Sequence, residues 1–384
     1  MQKLGRSKPT LDEEIIVFSY LKFIKPIVLL IFLVNKNNVS GDFYNHNPPY
    51  MKKLLLVLIV SVTAICNSGA QQYAQFSQYM VNPYLINPAL SGAEDYVDVK
   101  MGYRAQWAGF EDAPRTMYLG GHSPIGKPHG VMTHKGDDHN WHGVGGLVYR
   151  DVTGPTSRTS AYANYSYNLQ ITPGSGYGIN HKDGIRASLG IFMGFQQYAV
   201  DGSKLTTEID NDDALLSNAT QTKFVPDASV GAMIYFRDIF YIELSAFQIL
   251  ANKLNVNGLG NEFITEESRL ARHFFFSAGT KQEVSRDIYL IPSILVKTVG
   301  PAPISVDLNT RIDIQDKYYA GISYRHGDAV ALMAGLVIDR RYEVAYSYDI
   351  TLSDISRFSN GSHEMILGIR LPPPFVQRNA DDWF

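Results

Sequence analysis

Strict alternation of apolar and polar residues, repeated along the chain with charges kept to one face, most narrows what this sequence can fold into. Between Ile304 and Ile314 one face reads Ile304, Val306, Leu308, Thr310, Ile312 and Ile314, and the other Ser305, Asp307, Asn309, Arg311 and Asp313. Residues 341–350 repeat the pattern, setting Tyr342, Val344, Tyr346, Tyr348 and Ile350 against Arg341, Glu343, Ala345, Ser347 and Asp349. Residues 160–169 and 363–371 do the same. A period of two sends successive side chains to opposite faces of a strand, so each run predicts a strand with two chemically different faces.

A soluble sandwich would bury the apolar faces against a second sheet and wet the polar ones. Three further features favour a transmembrane barrel, whose apolar residues face lipid and whose polar residues face a wet lumen. Strands of about nine to eleven residues recur, tyrosines sit near strand ends, and very short turns alternate with long connections. The count is about fourteen strands, near 96–106, 116–123, 142–150, 158–170, 184–197, 227–236, 239–246, 273–281, 287–297, 303–314, 317–325, 329–338, 341–350 and 363–371. The expected fold is therefore all-β, a transmembrane antiparallel β-barrel over residues 96–371. Asp307, Asn309, Arg311, Asp313, Arg341, Glu343 and Asp349 are its expected lumen-facing polar groups. An even strand count puts both ends on the periplasmic side. The turns Arg237-Asp238, Gln315-Asp316 and Asp339-Arg340 then face the periplasm, and segments 198–226, 247–272 and 351–362 face outward. The connection from Ser123 to Trp141 breaks the rule, being long yet periplasmic.

Composition agrees with an exported β protein. Met51-Lys52-Lys53, the apolar run Leu54–Ile65 and Ser68-Gly69-Ala70 follow the charged, apolar, small-residue order of a secretory signal over residues 51–70, with cleavage expected after Ala70. Residues 1–50 read as an extension from an upstream start codon. The single cysteine, Cys66, lies inside the signal, so neither disulfides nor thiol chemistry serve the mature chain. Acidic residues (37) outnumber basic ones (34), which offers nothing to nucleic acid. The 24 tyrosines and 32 glycines suit aromatic-girdled strands.

Directly after the signal, residues 71–95 include "QYMVNPYLINPALSG", Gln78–Gly92, with two Asn-Pro pairs five residues apart. Proline lacks an N–H and restricts the residue before it, so this stretch is neither a central strand nor a long helix. Its apolar groups need burial. The expectation is an N-terminal plug or periplasmic docking segment, with Tyr79, Met80, Asn82, Pro83, Tyr84, Asn87 and Pro88 as its contact residues. Residues 372–384 form a C-terminal tail ending in Trp383-Phe384.

The blocks "FSQYMVNPYLINPALSG", "GYRAQWAGFEDAPRT", "IPSILVKTVGPAPISVDLN" and "YSYDITLSDISRFSNGSHEMILGIR" together resemble the PorP/SprF family of outer-membrane proteins associated with type IX secretion and gliding. The resemblance runs from about Phe76 to Arg370. It implies a barrel in the outer membrane of a Gram-negative bacterium, working beside the type IX machinery. Its implied partners are the periplasmic ring and lipoproteins, or a secreted adhesin's C-terminal secretion domain. It carries over no catalytic residues, and it leaves open whether this copy is a core component or serves one cargo.

Chemical sites find little support in the sequence. His122, His129, His134, His139 and His142 are irregularly spaced in a Gly/Pro-rich connection, which does not make ligands converge on a metal. Gly143-Val144-Gly145-Gly146 enters a strand, so it is no phosphate loop, and more readily lets a lumenal residue or a plug approach the wall. Ser362, His363 and Glu364 are sequence neighbours on a strand, which turns His363 away from the other two. The expectation is a non-enzymatic protein without cofactor or metal. A passive porin is the alternative, and a porin has no need of the Gln78–Gly92 segment.

Overall fold

In the computed structural model the described residues are 74–127, 140–172, 184–204, 220–237, 239–253, 269–300 and 302–372. The signal and upstream extension, much of the histidine-bearing connection and nearly all of the C-terminal tail lie outside them. The strands are β1 Val97–Ala105, β2 Arg115–Ile125, β3 Trp141–Thr153, β4 Thr156–Thr172, β5 Ile185–Asp201, β6 Thr220–Phe236, β7 Phe240–Phe247, β8 His273–Thr280, β9 Gln282–Ser285, β10 Ile288–Val299, β11 Ser305–Ile314, β12 Tyr318–Arg325, β13 Ala329–Ile338, β14 Tyr342–Thr351 and β15 Ser362–Leu371. β8 and β9 continue one another across Lys281 and pair successive parts of β10, so together they are one wall strand. Every neighbour pairs antiparallel, β10 pairs β11, and β1 pairs β15 from Val97↔Leu371 to Ala105↔His363. The result is a closed barrel of fourteen wall strands, in which every strand has two hydrogen-bonded neighbours, as a hydrocarbon surround demands.

The predicted alternation appears in the wall as inside and outside. In β4, Ala161, Ala163, Tyr165, Tyr167 and Leu169 are exposed on the outer face, while Tyr162, Asn164, Ser166 and Asn168 are buried within. Tyr318 and Tyr342 stand exposed at one rim and Tyr103 and Tyr324 at the other, the placement of an interfacial aromatic girdle. The near rim, where β1 starts and β15 ends, carries the tight turns after β6, β9, β11 and β13, and the far rim carries others, among them Gly154-Pro155 between β3 and β4. Gln315 and Asp316 (φ 55° and 52°) and Asp339 and Arg340 (φ 52° and 54°) are both in the left-handed region, which matches the twist of a hairpin.

Two expectations need correcting. β5 and β6 each run 17 residues, well past the expected limits of 197 and 227. Pro226 is tolerated inside β6 because β7 pairs β6 only from Phe236 to Val230, so Pro226 sits where that side of β6 needs no N–H donor. The lumen is also not simply wet. Tyr118, Leu147, Tyr149, Tyr162, Phe192 and Phe275 point inward and are buried, which makes the barrel interior a hydrophobic core.

Leu308 is 52% exposed on the outer face, paired across to Ile294 and Tyr324. Leu308→Arg places a guanidinium against lipid and is expected to destabilise the barrel by about 2–4 kcal/mol. Urea unfolding in liposomes, followed by the heat-modifiable gel shift, measures it.

Candidate functional site

What fills the core is the chain's own N-terminal segment. Each Asn-Pro pair opens a single 3₁₀ turn, Pro83–Leu85 and Pro88–Leu90, because proline's fixed φ suits the first position and its missing N–H has no partner to lose there. Asn87 caps the second turn by accepting from the Ala89 N–H at 3.0 Å. The turns fold Tyr84, Leu85, Ile86, Ala89 and Leu90 outward from a short backbone, and all are buried against the wall. Tyr84 packs on the rings of His122 (centroids 4.8 Å apart) and Phe192 (5.2 Å). Phe76 meets Tyr118 edge-on at 5.6 Å.

With no regular ladder inside the lumen, the segment's backbone needs side-chain partners from the wall. Asn164 Nδ2 donates to the Pro88 carbonyl (3.1 Å), Ser166 Oγ to the Ser91 carbonyl (2.6 Å) and Trp141 Nε1 to the Gly92 carbonyl (2.7 Å). Ser245 Oγ donates to the Ile86 carbonyl and Arg311 Nη1 to the Met80 carbonyl, both at 2.5 Å. Asn309 Nδ2 hydrogen-bonds the Tyr79 hydroxyl, and Asn87 Nδ2 reaches Glu243 Oε2 at 3.4 Å. Wall glycines, among them Gly143, Gly190 and Gly231, allow this approach. A Cβ on Gly143 would lie 2.1 Å from the Ser91 carbonyl oxygen, and one on Gly190 2.4 Å from the Pro88 carbonyl.

Two ionic clusters flank the apolar centre. At the far rim Arg104, 1% exposed, binds Asp349 (2.8 Å) and Glu364 (3.2 Å), and also donates to Ser77 Oγ (2.8 Å). Ser77 in turn donates its N–H to Glu364 (2.7 Å) and its hydroxyl to Asp349 (2.5 Å), so the segment is tied into the ion pairs themselves. Arg325 and Lys297 hold Asp307 beside them, at 3.4 and 2.9 Å. Toward the near rim Lys100 joins Asp98 (2.7 Å) and Glu343 (3.5 Å), and Arg311 holds Asp313 by two contacts at 2.8 and 2.9 Å. Buried charges persist in an apolar interior only when paired in this way.

Of the predicted lumenal groups, Asp307, Asn309, Glu343 and Asp349 are buried inside, and Arg311 and Asp313 are partly so. Arg341 is not among them. It lies exposed in the turn before β14, its guanidinium 5.7 Å from the Tyr342 ring, because the strand starts one residue later than the alternation suggested. Arg104, Lys100 and Asp98 were missed, although "VDVKMGYRA" alternates Asp98, Lys100, Gly102 and Arg104 on one face. The predicted segment residues Tyr79, Asn82, Tyr84, Asn87 and Pro88 are buried, and Met80 and Pro83 partly buried, all inside the barrel rather than below it. His122 is lumenal, whereas His142 faces outward to the Tyr165 hydroxyl at 2.8 Å, so these two do not converge; His129, His134 and His139 lie outside the described residues. His363 faces the Tyr346 hydroxyl (2.6 Å), on the other side of the wall from Glu364.

The sequence pattern of a family described as "Type IX secretion system membrane protein PorP/SprF" matches residues 68–369. The chain belongs to that family. It is thus an outer-membrane β-barrel component of type IX secretion, and the family pattern takes in the lumenal segment together with the whole wall up to Ile369. No curated protein matches it. Among solved structures it is similar to a Pseudomonas aeruginosa FadL homologue (11% identity, 79% of this chain and 95% of that one, TM-score 0.41). It is also similar to the Ralstonia pickettii toluene transporter TbuX (7%, 75% and 92%, TM-score 0.44) and to the CymD monoaromatic hydrocarbon channel (9%, 78% and 92%, TM-score 0.39).

Removing Arg104 leaves two buried carboxylates facing each other. Arg104→Met is expected to cost about 3–5 kcal/mol in urea unfolding, and Arg311→Met distinctly less, since the Arg311 side chain keeps 21% of its surface exposed.

Proposed function

We propose that this family member is a sealed, non-enzymatic barrel that supports secretion or surface attachment of proteins carrying a C-terminal secretion domain, rather than a passive porin. The observation that carries the reading is the packing of Phe76–Gly92 through the lumen, with Tyr79, Tyr84, Leu85, Ile86 and Ala89 each under 5% exposed. A diffusion pore needs a continuous water path. A gap between Phe76, Tyr79, Ile86, Phe275 and Leu295 is about 40 Å³, room for a few waters. A barrel whose interior is occupied works through its rims, so the partners are the other type IX components on the periplasmic side and the secreted adhesin's C-terminal domain. Export through the signal at residues 51–70, with cleavage after Ala70, belongs to the same reading. The protein needs no cofactor and no nucleic acid.

Deleting residues 76–92 tests the reading, with Gly190→Leu as a second route because it wedges a side chain into the place of Pro88 without shortening the chain. Intact protein is expected to be silent in planar bilayers and both variants to conduct. In cells both are expected to lose secretion or surface retention of proteins with the C-terminal domain. Steady wild-type conductance of porin size would sink the sealed-barrel reading, and undiminished secretion by both variants would remove the segment from the function.

A further inference from the structure

Followed from one contact to the next, the lumenal segment does not dip into the barrel and return; it crosses from one rim to the other. At the near rim, beside the start of β1, the Ala93 carbonyl accepts from Lys127 Nζ (2.5 Å) and the Gly92 carbonyl from Trp141, the first residue of β3. One step inward Ser91 meets Ser166 and Asn168, and Pro88 meets Asn164. Ser77 is bound by Arg104, Asp349 and Glu364, which sit at the last turn of β1 and β14 and the first of β15, all at the far rim. Arg104 is seven residues up β1 from Val97, about 23 Å along the strand. Ala74 and Phe76 border a gap with His273, Thr298, Val299 and Pro303, which are the start of β8, the end of β10 and the connection after it.

We infer that the mature chain is threaded through its own barrel, so that its N-terminal end emerges at the far rim, on the cell surface, while β1 begins at the periplasmic rim. The far rim is taken as the outer one because β5 and β6, and β7 and β8, the pairs joined by the two longest connections, end and begin there, whereas the tight turns after β6, β9, β11 and β13 close the near rim. The links from β2 to β3 and from β4 to β5 on the near rim, and tight turns such as Gly154-Pro155 on the far rim, depart from that asymmetry. The threaded state sets an order of events. A leader still attached ahead of Ala74 and held in the inner membrane tethers the chain end on the periplasmic side, away from the rim where Ala74 lies. Proteolytic removal of the leader therefore precedes closure of β1 on β15. This consequence rests on the export reading above; the threading itself does not.

Once the leader is gone the chain has no cysteine, so single-cysteine variants report position directly. Ala74→Cys and Ala93→Cys, each partly exposed, are treated with a membrane-impermeant maleimide on intact cells and again after the outer membrane is permeabilised. Ala74→Cys is expected to label on intact cells and Ala93→Cys only after permeabilisation. A short epitope placed directly ahead of Ala74 gives the second measurement, with antibody binding to intact cells expected. Labelling of both cysteines only after permeabilisation, the reverse pattern, or an epitope reached only in permeabilised cells overturns the inference. Neither readout involves secretion. A chain that labels as expected yet proves dispensable for secretion would remove the functional reading and leave the threading intact.

Discussion

Hydrocarbon offers no hydrogen bonds, and that single constraint sets the rest of this structure. It forces the sheet to close between β1 and β15, strands separated by most of the chain, because an open edge would leave a row of N–H and C=O groups without partners. Closure then creates an interior that water, side chains or another segment must occupy. Here wall side chains and the Phe76–Gly92 segment share it, and the segment's irregular backbone is tolerated at membrane depth because it is enclosed by protein. Its carbonyls are met by asparagine, serine, tryptophan and arginine side chains of the wall, which gives a reason for polar residues on these inward positions.

Much of this was legible in the sequence, for a definite reason. Lipid outside and a partly polar interior inside impose a two-residue period, and β4, β11, β14 and β15 carry it plainly enough to give strand order, facing and the tight turns. The Asn-Pro repeat likewise announced a turn-punctuated segment needing burial. Where the inner face is apolar too, the period fades. β3 sets Leu147 and Tyr149 inward beside outward Val148, and β13 alternates Ala329, Ala331 and Met333 with Val330 and Leu332, so hydrophobicity alone does not tell the faces apart. Strand ends were the weakest point. Arg341 and the upper parts of β5 and β6 were misjudged because turn geometry and edge exposure, not local pattern, decide them.

The direction of the lumenal segment was beyond sequence reasoning for a different reason. A segment entering from either rim buries the same residues in the same apolar environment, and only the identity of the wall partners tells the two apart. Those partners, Arg104 and Glu364 at one end and Trp141 and Lys127 at the other, are remote from the segment in sequence.

The Arg104 cluster lies between an apolar core and the rim, with its side chains at 2% exposure or less. Mobile ions shorten the reach of charges that face solvent, with a screening length near ~8 Å at physiological ionic strength, but they do not enter a dry interior. The hold of Arg104 on Ser77, Asp349 and Glu364 is thus insulated from the electrolyte bathing the rim. A change of salt around the barrel alters the environment of the rims and leaves the grip on the lumenal segment as it was.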